Sequence, residues 1–243
     1  MTPDEITDED SLNAWLEGQT REVAVTIAYR AAMRVAPLYW RKVAPSADKL
    51  DLTALETARP ILISGVAGTS PTRAIKDSAN GYAASFGTVV TATSNAVADA
   101  AAYVADAAVH VAAADDDARA VAAAATTAAT TAAARKYGEG AYGNGAYGGR
   151  KAVDEEDPAA IWEGVLQDAA RLNGRETGQA AAAAPLWHDG ENPYADDWQK
   201  VRTAWAATGD PGWRFWIDWY VAALAGRPLL GDWDRHWNLL TEI

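Results

Sequence analysis

The spacing of apolar residues predicts helices along most of the chain, starting with a stripe near the N-terminus. Val23, Ile27 and Val35 are separated by multiples of four residues, which places them on one face of a helix. Arg34 belongs to the same stripe. We expect this helix to face the core through the stripe. We also expect Pro37 to end or kink it, because proline lacks the amide hydrogen that a helix uses.

A helix-forming stretch without interruption extends from Thr88 to Lys136 and is dominated by alanine, the residue with the highest helix propensity. Small residues seven positions apart define a narrow seam, which is typical of close packing between helices. The seam residues are Val90, Val97, Val104, Val111, Ala118, Ala125 and Ala132, with Thr93, Ala100, Ala107 and Ala114 three positions further on.

This alanine-rich stretch is either one long helix or a helical hairpin. At about 1.5 Å per residue, a single helix over residues 88–136 would reach about 73 Å, which is long for a compact domain of this size. The aspartates at 115–117 are suited to capping a second helix. The unbroken seven-residue phase favours one helix instead, and the sequence leaves both open.

Residues 137–149 change the pattern, because they contain six glycines and a five-residue repeat of tyrosine and glycine. Glycine at this density does not sustain a helix. We interpret residues 137–153 as a loop or linker. It would join an N-terminal helical region, residues 1–136, to a Trp-rich helical region, residues 154–243, and the two regions could share one core.

Proline and glycine punctuate the last region into helices. A capping side chain before a proline is typical of a helix start, and a glycine is typical of a helix end. The predicted starts are Asp157-Pro158, Asn192-Pro193, Asp210-Pro211 and Asp232, and the predicted ends are Asn173-Gly174, Gly209 and Gly226. The predicted fold class is therefore all-α, a helical bundle with an alanine-rich long helix or hairpin and a Trp-rich C-terminal part.

Residues 59–73 combine a short apolar run, two glycines and a Ser-Pro pair. This order is compatible with a strand, a loop and a helix start, and such a loop can cradle phosphate with its backbone N–H groups. The common phosphate-binding loop needs a lysine after its last glycine, and Thr69 stands there instead. We therefore favour a turn followed by a helix with Ser70 as N-cap and Pro71 in the first turn.

The composition argues against several classes of protein. The net charge is −12 over 243 residues, which disfavours contact with nucleic acid or anionic lipid. The chain has no cysteine, no signal-peptide pattern and no apolar stretch long enough for a membrane span. We expect a cytoplasmic bacterial protein whose partner, if it is a protein, carries basic groups.

The three histidines are the candidates for chemistry. Asp106 and His110 lie four residues apart and would form half of a metal site, although a surface pair is the favoured interpretation. The polar turn from His188 to Glu191 can present a general base and carboxylates. No nucleophile motif or nucleotide fingerprint accompanies them, so no catalytic residue, cofactor or metal is predicted.

The Trp-rich region suggests a partner surface. Tryptophan and arginine are the commonest anchors of protein interfaces, and eleven tryptophans exceed what one small core usually needs. The alternative is that most of these indoles belong to the core. The predicted interaction residues are Trp213, Arg214, Trp216, Trp219 and Arg227.

Two short segments resemble known bacterial proteins. The alanine-rich text at 97–111 resembles helical stretches of immunity-protein-like bacterial proteins, and residues 213–228 resemble the C-terminal part of other bacterial helical proteins. The resemblance implies interaction rather than catalysis and transfers no functional residue. The first functional hypothesis is thus a non-enzymatic interaction protein: an adaptor, an immunity or defence component, or an oligomeric scaffold. The alternatives are a hydrolase that uses carboxylates and His188, with or without a metal, and a small-molecule binder with an indole-lined cavity.

Overall fold

The computed structural model confirms the all-α prediction for the part of the chain that it describes. It describes residues 1–43, 50–69, 72–86, 107–108, 110–112, 118–132, 158–173, 180–181, 183–188 and 191–227, and none of these is in a strand. A 3₁₀ turn at Pro3–Glu5 precedes the α-helices. These are α1 (Glu9–Glu17), α2 (Arg21–Val43), α3 (Leu50–Thr69), α4 (Arg73–Phe86), α5 (Ala118–Ala132), α6 (Pro158–Leu172), α7 (Ala195–Ala207) and α8 (Pro211–Leu224).

Helix α2 is the central element of the fold. Every residue from Val23 to Trp40 is buried, and the helix packs against α3, α5, α6 and α7. A helix that is covered on all sides normally carries only apolar residues. The polar side chains within α2 therefore need partners inside the protein, and these partners locate the candidate site described below.

Among the described residues, two prolines lie inside helices rather than at their ends. Helix α2 continues through Pro37 to Val43, so Pro37 does not end the helix as predicted, and the alternative that it kinks the helix stays a prediction. Pro60 lies within α3 in the same way. A proline inside a helix costs about 3 kcal/mol or more. Pro37 lies in the stretch of α2 that is buried on all sides, and the free energy gained from that burial offsets the cost.

Residues 59–69 contain neither a strand nor a phosphate-binding loop, because α3 extends through them as far as Thr69. The two glycines are helical and serve close packing against α2. A methyl group on Gly65 would lie 2.7 Å from the ring of Tyr29, and one on Gly68 would lie 3.2 Å from the hydroxyl of Thr26. Ser70 and Pro71, the predicted cap, lie outside the described residues.

An aromatic cluster joins α2 to the Trp-rich helices. The ring centroid of Trp40 on α2 lies 5.1 Å from that of Trp205 and 5.4 Å from that of Tyr220. Trp198 and Trp219 lie 6.3 and 6.4 Å from the same indole. The buried apolar residues of the N-terminal and C-terminal regions form one continuous cluster, so this part of the core is shared.

The helix starts predicted at Pro158 and Pro211 are confirmed, whereas the start predicted at Asn192-Pro193 is two residues too early, because Asn192 accepts from the amide of Tyr194 in a turn and α7 begins at Ala195. Helix α6 begins at Pro158, and α8 begins at Pro211 after Asp210, whose carboxylate accepts a hydrogen bond from the amide of Gly212 at 2.8 Å. Gly209 and Gly226 adopt positive φ values of 70° and 62° after α7 and α8. The helix predicted after Asp232 lies outside the described residues.

The alanine-rich stretch is described in part. Residues 107–108 and 110–112 are helical, and α5 buries a face wider than the predicted seam, formed by Val121, Ala122, Ala125, Ala128 and Ala129. Residues 113–117, which distinguish one helix from a hairpin, lie outside the described part, as does the segment 137–153. Among the helices that are described, none is long and apolar enough to cross a bilayer.

The contact between α2 and α3 makes a matched pair of glycine substitutions informative. Gly65→Ala should destabilise the protein by about 1–3 kcal/mol, because the added methyl group overlaps the buried ring of Tyr29. Gly81→Ala in α4 meets no neighbour within 4 Å and should stabilise the protein by up to about 1 kcal/mol through helix propensity. Urea unfolding of both variants measures the difference, and equal effects at the two positions would contradict this packing.

Candidate functional site

The structure places the predicted indole surface in the core. Trp213, Trp216 and Trp219 are 3%, 9% and 2% exposed, so the expectation that they form an open partner surface is corrected. The physical reason is that these indoles fill the space between α8 and its neighbours, where alanine is too small. Arg214 and Arg227 are exposed, and an interaction role for these two residues stays a prediction.

A buried ion cluster links α2 to α6. Asp168 on α6 lies between two arginines of α2: its Oδ1 is 2.8 Å from Nε of Arg30, and its Oδ2 is 2.7 Å from Nη1 of Arg34. All three side chains are at most 1% exposed. Arg30 and Arg34 are four residues apart on α2 and therefore project from one face of that helix.

Arg30 also holds the segment that precedes α7. Its Nη1 donates to the carbonyl oxygens of Ala181 and Ala184, both at 2.9 Å, and its Nη2 donates to that of Pro185 at 2.7 Å. Nη2 of Arg34 donates to the carbonyl of Leu186 at 3.0 Å. The chain thus turns around the two guanidinium groups, and backbone carbonyls balance the positive charge that Asp168 does not neutralise.

The electrostatic environment keeps Asp168 ionised. Burial by itself would raise the pKa of this carboxyl group. The positive charges of Arg30 and Arg34 and the hydrogen bond from His188 outweigh burial, so that the pKa lies well below its usual value. An ionised carboxylate can only accept hydrogen bonds, and this fixes the hydrogen-bonding role of every group around it.

His188 is oriented by this carboxylate. Its Nε2 lies 2.8 Å from Oδ1 of Asp168, and the histidine side chain is 9% exposed. Because Asp168 can only accept, Nε2 of His188 must carry the hydrogen in this contact, which leaves Nδ1 of a neutral ring as an acceptor. The arrangement is the one that a carboxylate uses to orient a general base.

Trp187, next to His188, is held by the same cluster. The guanidinium carbon of Arg34 lies 5.5 Å from the centroid of the indole ring, within the range of a cation–π contact. Gly164 on α6 allows this approach, because a methyl group there would lie 2.6 Å from Nε of Arg34. The absence of a side chain at position 164 therefore lets Arg34 lie between α6 and Trp187.

These residues form one wall of a surface groove of about 500 Å³. The volume lies within the range of small-molecule sites. Its polar side chains come from α6 and from the segment before α7. The groove is lined by Ala160, Glu163, Gly164, Gln167, Trp187, His188, Glu191, Asn192 and Pro193.

Two hydrogen-bond donors in the groove wall have no acceptor among the described residues. The indole Nε1 of Trp187 and the amide Nδ2 of Asn192 are buried, and the described residues offer no acceptor to either. The Asn192 Oδ1, by contrast, accepts from the amide of Tyr194 at 2.9 Å. Most buried donors in folded proteins are satisfied, so these two are exceptions, and as buried atoms they are not accessible from the groove.

The sequence singled out His188 and Glu191, and the structure brings both to the groove. The sequence pattern did not single out Arg30, Gly164 or Asp168, which hold and shape that wall. Of the predicted pair, Asp106 lies outside the described residues. His110 is described and is exposed. Within the described part of the chain, no group of three His, Asp or Glu residues could hold a metal ion.

Comparison of the chain with protein-family models, curated proteins and solved structures gives no match. The functional argument therefore depends on the geometry of the groove and on the chemistry of its lining residues. The resemblance to immunity-protein-like segments stays a prediction.

Asp168→Asn should destabilise the protein by about 3–5 kcal/mol, because it removes the negative charge that compensates two buried arginines. The matched control is Asp218→Asn, which removes an acid from the exposed pair with Arg214 on α8 and should change stability little. Urea unfolding at neutral pH compares the two, and a mild effect of Asp168→Asn would contradict the ion cluster.

Asp168→Asn should also change how the free energy of unfolding depends on pH. Because the pKa of Asp168 in the folded protein lies below its unfolded value of about 3.9, its contribution to stability is complete above that pH and is lost as the pH falls below it. The free energy of unfolding of the native protein should therefore decrease more steeply below about pH 4 than that of Asp168→Asn. Parallel curves would contradict the ion cluster.

Proposed function

We propose that this protein binds a small molecule that carries a positive charge, such as an alkylammonium or alkylguanidinium group, in the groove between α6 and residues 187–188 and 191–193. The observation that carries the proposal is the groove itself, whose wall is fixed by the Arg30–Arg34–Asp168 cluster. Pre-organised walls reduce the entropy that is lost on binding, and a rigid concave site with a few polar groups is the usual form of a ligand site.

The charge of the lining supports a cationic ligand. Glu163 and Glu191 contribute two carboxylates, and the buried arginines behind the wall do not line the groove. Their positive charge is engaged by Asp168 and by the backbone carbonyls of the segment they hold. Aromatic and acidic side chains together are the usual means of binding an organic cation, and Trp187 supplies the aromatic group here.

The surface gives a broad protein interface less support. Among the described residues, Met1 is the only large apolar side chain that is exposed, whereas stable interfaces are built around buried aromatic anchors. The indoles that motivated the interaction hypothesis are part of the core. A protein partner therefore stays a prediction from the sequence, and the groove supports the small-molecule alternative.

Binding of n-butylguanidinium and of n-butylurea, its neutral counterpart of similar shape, tests the proposal by isothermal titration calorimetry at low ionic strength. The guanidinium compound should bind, and Glu163→Gln or Glu191→Gln should weaken it about tenfold, the equivalent of about 1.4 kcal/mol for one lost charge contact. Asp218→Asn, which lies outside the groove, serves as the control variant. Equal affinity for both compounds, or no effect of either glutamate, would rule out charge recognition in this groove.

A second candidate function is hydrolysis with His188 as general base. It is favoured by the contact between Nε2 of His188 and Asp168 at 2.8 Å, which leaves Nδ1 able to accept a proton from water. In such a step, Nδ1 takes one proton while the hydroxide oxygen attacks the carbonyl carbon of an ester, and the departing alkoxide takes that proton back. The described residues provide no serine or threonine in the groove lining, so water is the nucleophile.

Hydrolysis of p-nitrophenyl acetate separates this second candidate from simple binding. The native protein should hydrolyse the ester faster than His188→Gln, because the variant lacks the oriented imidazole that acts as the base at the groove. His110→Gln, at an exposed position of another helical segment, controls for the background reaction of surface histidines. If both variants hydrolyse the ester as fast as the native protein, the groove is not an esterase site.

A further inference from the structure

The guanidinium of Arg34 lies behind the groove wall and has three partners around it. It pairs with Asp168 of α6 at 2.7 Å, donates to the carbonyl of Leu186 at 3.0 Å, and lies against the ring of Trp187 at 5.5 Å from its centroid. Asp168 in turn holds His188. Arg34 is therefore in direct contact with Trp187 and, through Asp168, in indirect contact with His188.

Gly164 makes this position of Arg34 possible. It lies on α6 in the groove lining, and a Cβ atom there would be 2.6 Å from Nε and 2.8 Å from Cζ of Arg34. Contacts that short do not occur between such atoms, so one of the partners must move. Arg34 is fully buried and is held by Asp168 and Leu186, and in a close-packed interior its displacement would be passed on to these partners.

We propose that Arg34 is a positioning residue of the groove, and that Gly164 is the position at which α6 accommodates it. Arg34 sets the orientation of the Trp187 indole directly and that of the His188 ring through Asp168. The inference deepens the proposed function and rests on it for its meaning in ligand binding. The orientation itself is a property of the free protein and can be measured without a ligand.

The consequence for binding follows from geometry. Sites that recognise a ligand by a few directed contacts lose affinity or rate when a group moves by about 1 Å. A methyl group at position 164 has to displace the guanidinium, the α6 backbone or both. Gly164→Ala should therefore alter the groove wall although it replaces a poor helix former with a good one.

The experiment compares Gly164→Ala with Gly81→Ala in the full chain. Gly81 lies in α4 and an added Cβ meets nothing within 4 Å, so this variant controls for the change in helix propensity. The readout is the ring ¹⁵N–¹H spectrum of the three histidines, in which His188→Gln identifies the signal of His188 by its loss. Far-UV circular dichroism checks that each variant is folded.

In Gly164→Ala, the Nε2–H signal of His188 should shift or broaden, and the affinity for n-butylguanidinium should fall about tenfold or more. Gly81→Ala should leave both as they are in the native protein. If the His188 signal and the affinity of folded Gly164→Ala are unchanged, Arg34 does not position the groove and the proposal is overturned.

A second variant keeps the test decisive if Gly164→Ala does not fold. Arg34→Lys retains the charge but lacks the planar fork that reaches Asp168 and Leu186 together, so it should shift the His188 signal in the same way. An unchanged signal in this variant overturns the proposal equally. If the native protein does not bind n-butylguanidinium at all, the proposed function fails, while the spectra of the free protein still decide whether Arg34 positions His188.

Discussion

The burial of the Asp168 carboxylate imposes the main physical constraint on this structure. A single charge in a protein interior is strongly unfavourable unless oppositely charged groups and hydrogen-bond donors surround it. Here Arg30 and Arg34 from α2 and His188 from the segment before α7 meet that requirement. Because the stretch of α2 that carries them is buried on all sides, Arg30 and Arg34 have no access to water and depend on the same partners. Helix α6, helix α2 and residues 183–188 are thereby fixed relative to one another.

The groove is a consequence of this constraint. The hydrogen bonds of Arg30 to backbone carbonyls determine the course of the chain through Ala184 and Pro185, and that course brings Trp187 and His188 to the groove beside α6. A buried ion pair is weak evidence for a gain in stability, because an apolar replacement is often as stable. Its value here lies in specifying one arrangement of the wall, which is what a binding site needs.

The sequence predicted what depends on local chemistry and missed what depends on distant contacts. Helix type, the helix starts at Pro158 and Pro211, and the glycines after α7 and α8 were predictable because each is decided within a few residues. The continuation of α2 through Pro37 and the close contact at Gly65 were not predictable, because packing against other helices decides them. Arg34 was visible on an apolar stripe, and Asp168 stands at helical spacing with Ile161, Val165 and Leu172 on the buried face of α6. These were the signals of a buried ion cluster. Arg30, however, pairs with Asp168 and with the carbonyl of Ala181, and Arg34 with the carbonyl of Leu186, across 138 to 152 residues, a separation that no local pattern records.

The central claim is that the two arginines are sealed from water by Asp168 and the surrounding carbonyls, and side-chain hydrogen exchange tests it most directly. Guanidinium N–H groups of exposed arginines exchange rapidly with water at neutral pH, whereas groups that open only on global unfolding are protected to the extent of the protein's stability. The account predicts slowly exchanging Nε–H or Nη–H signals for both Arg30 and Arg34 in the native protein, and fast exchange in a folded Asp168→Asn variant. Rapid exchange of both arginines in the native protein would contradict it.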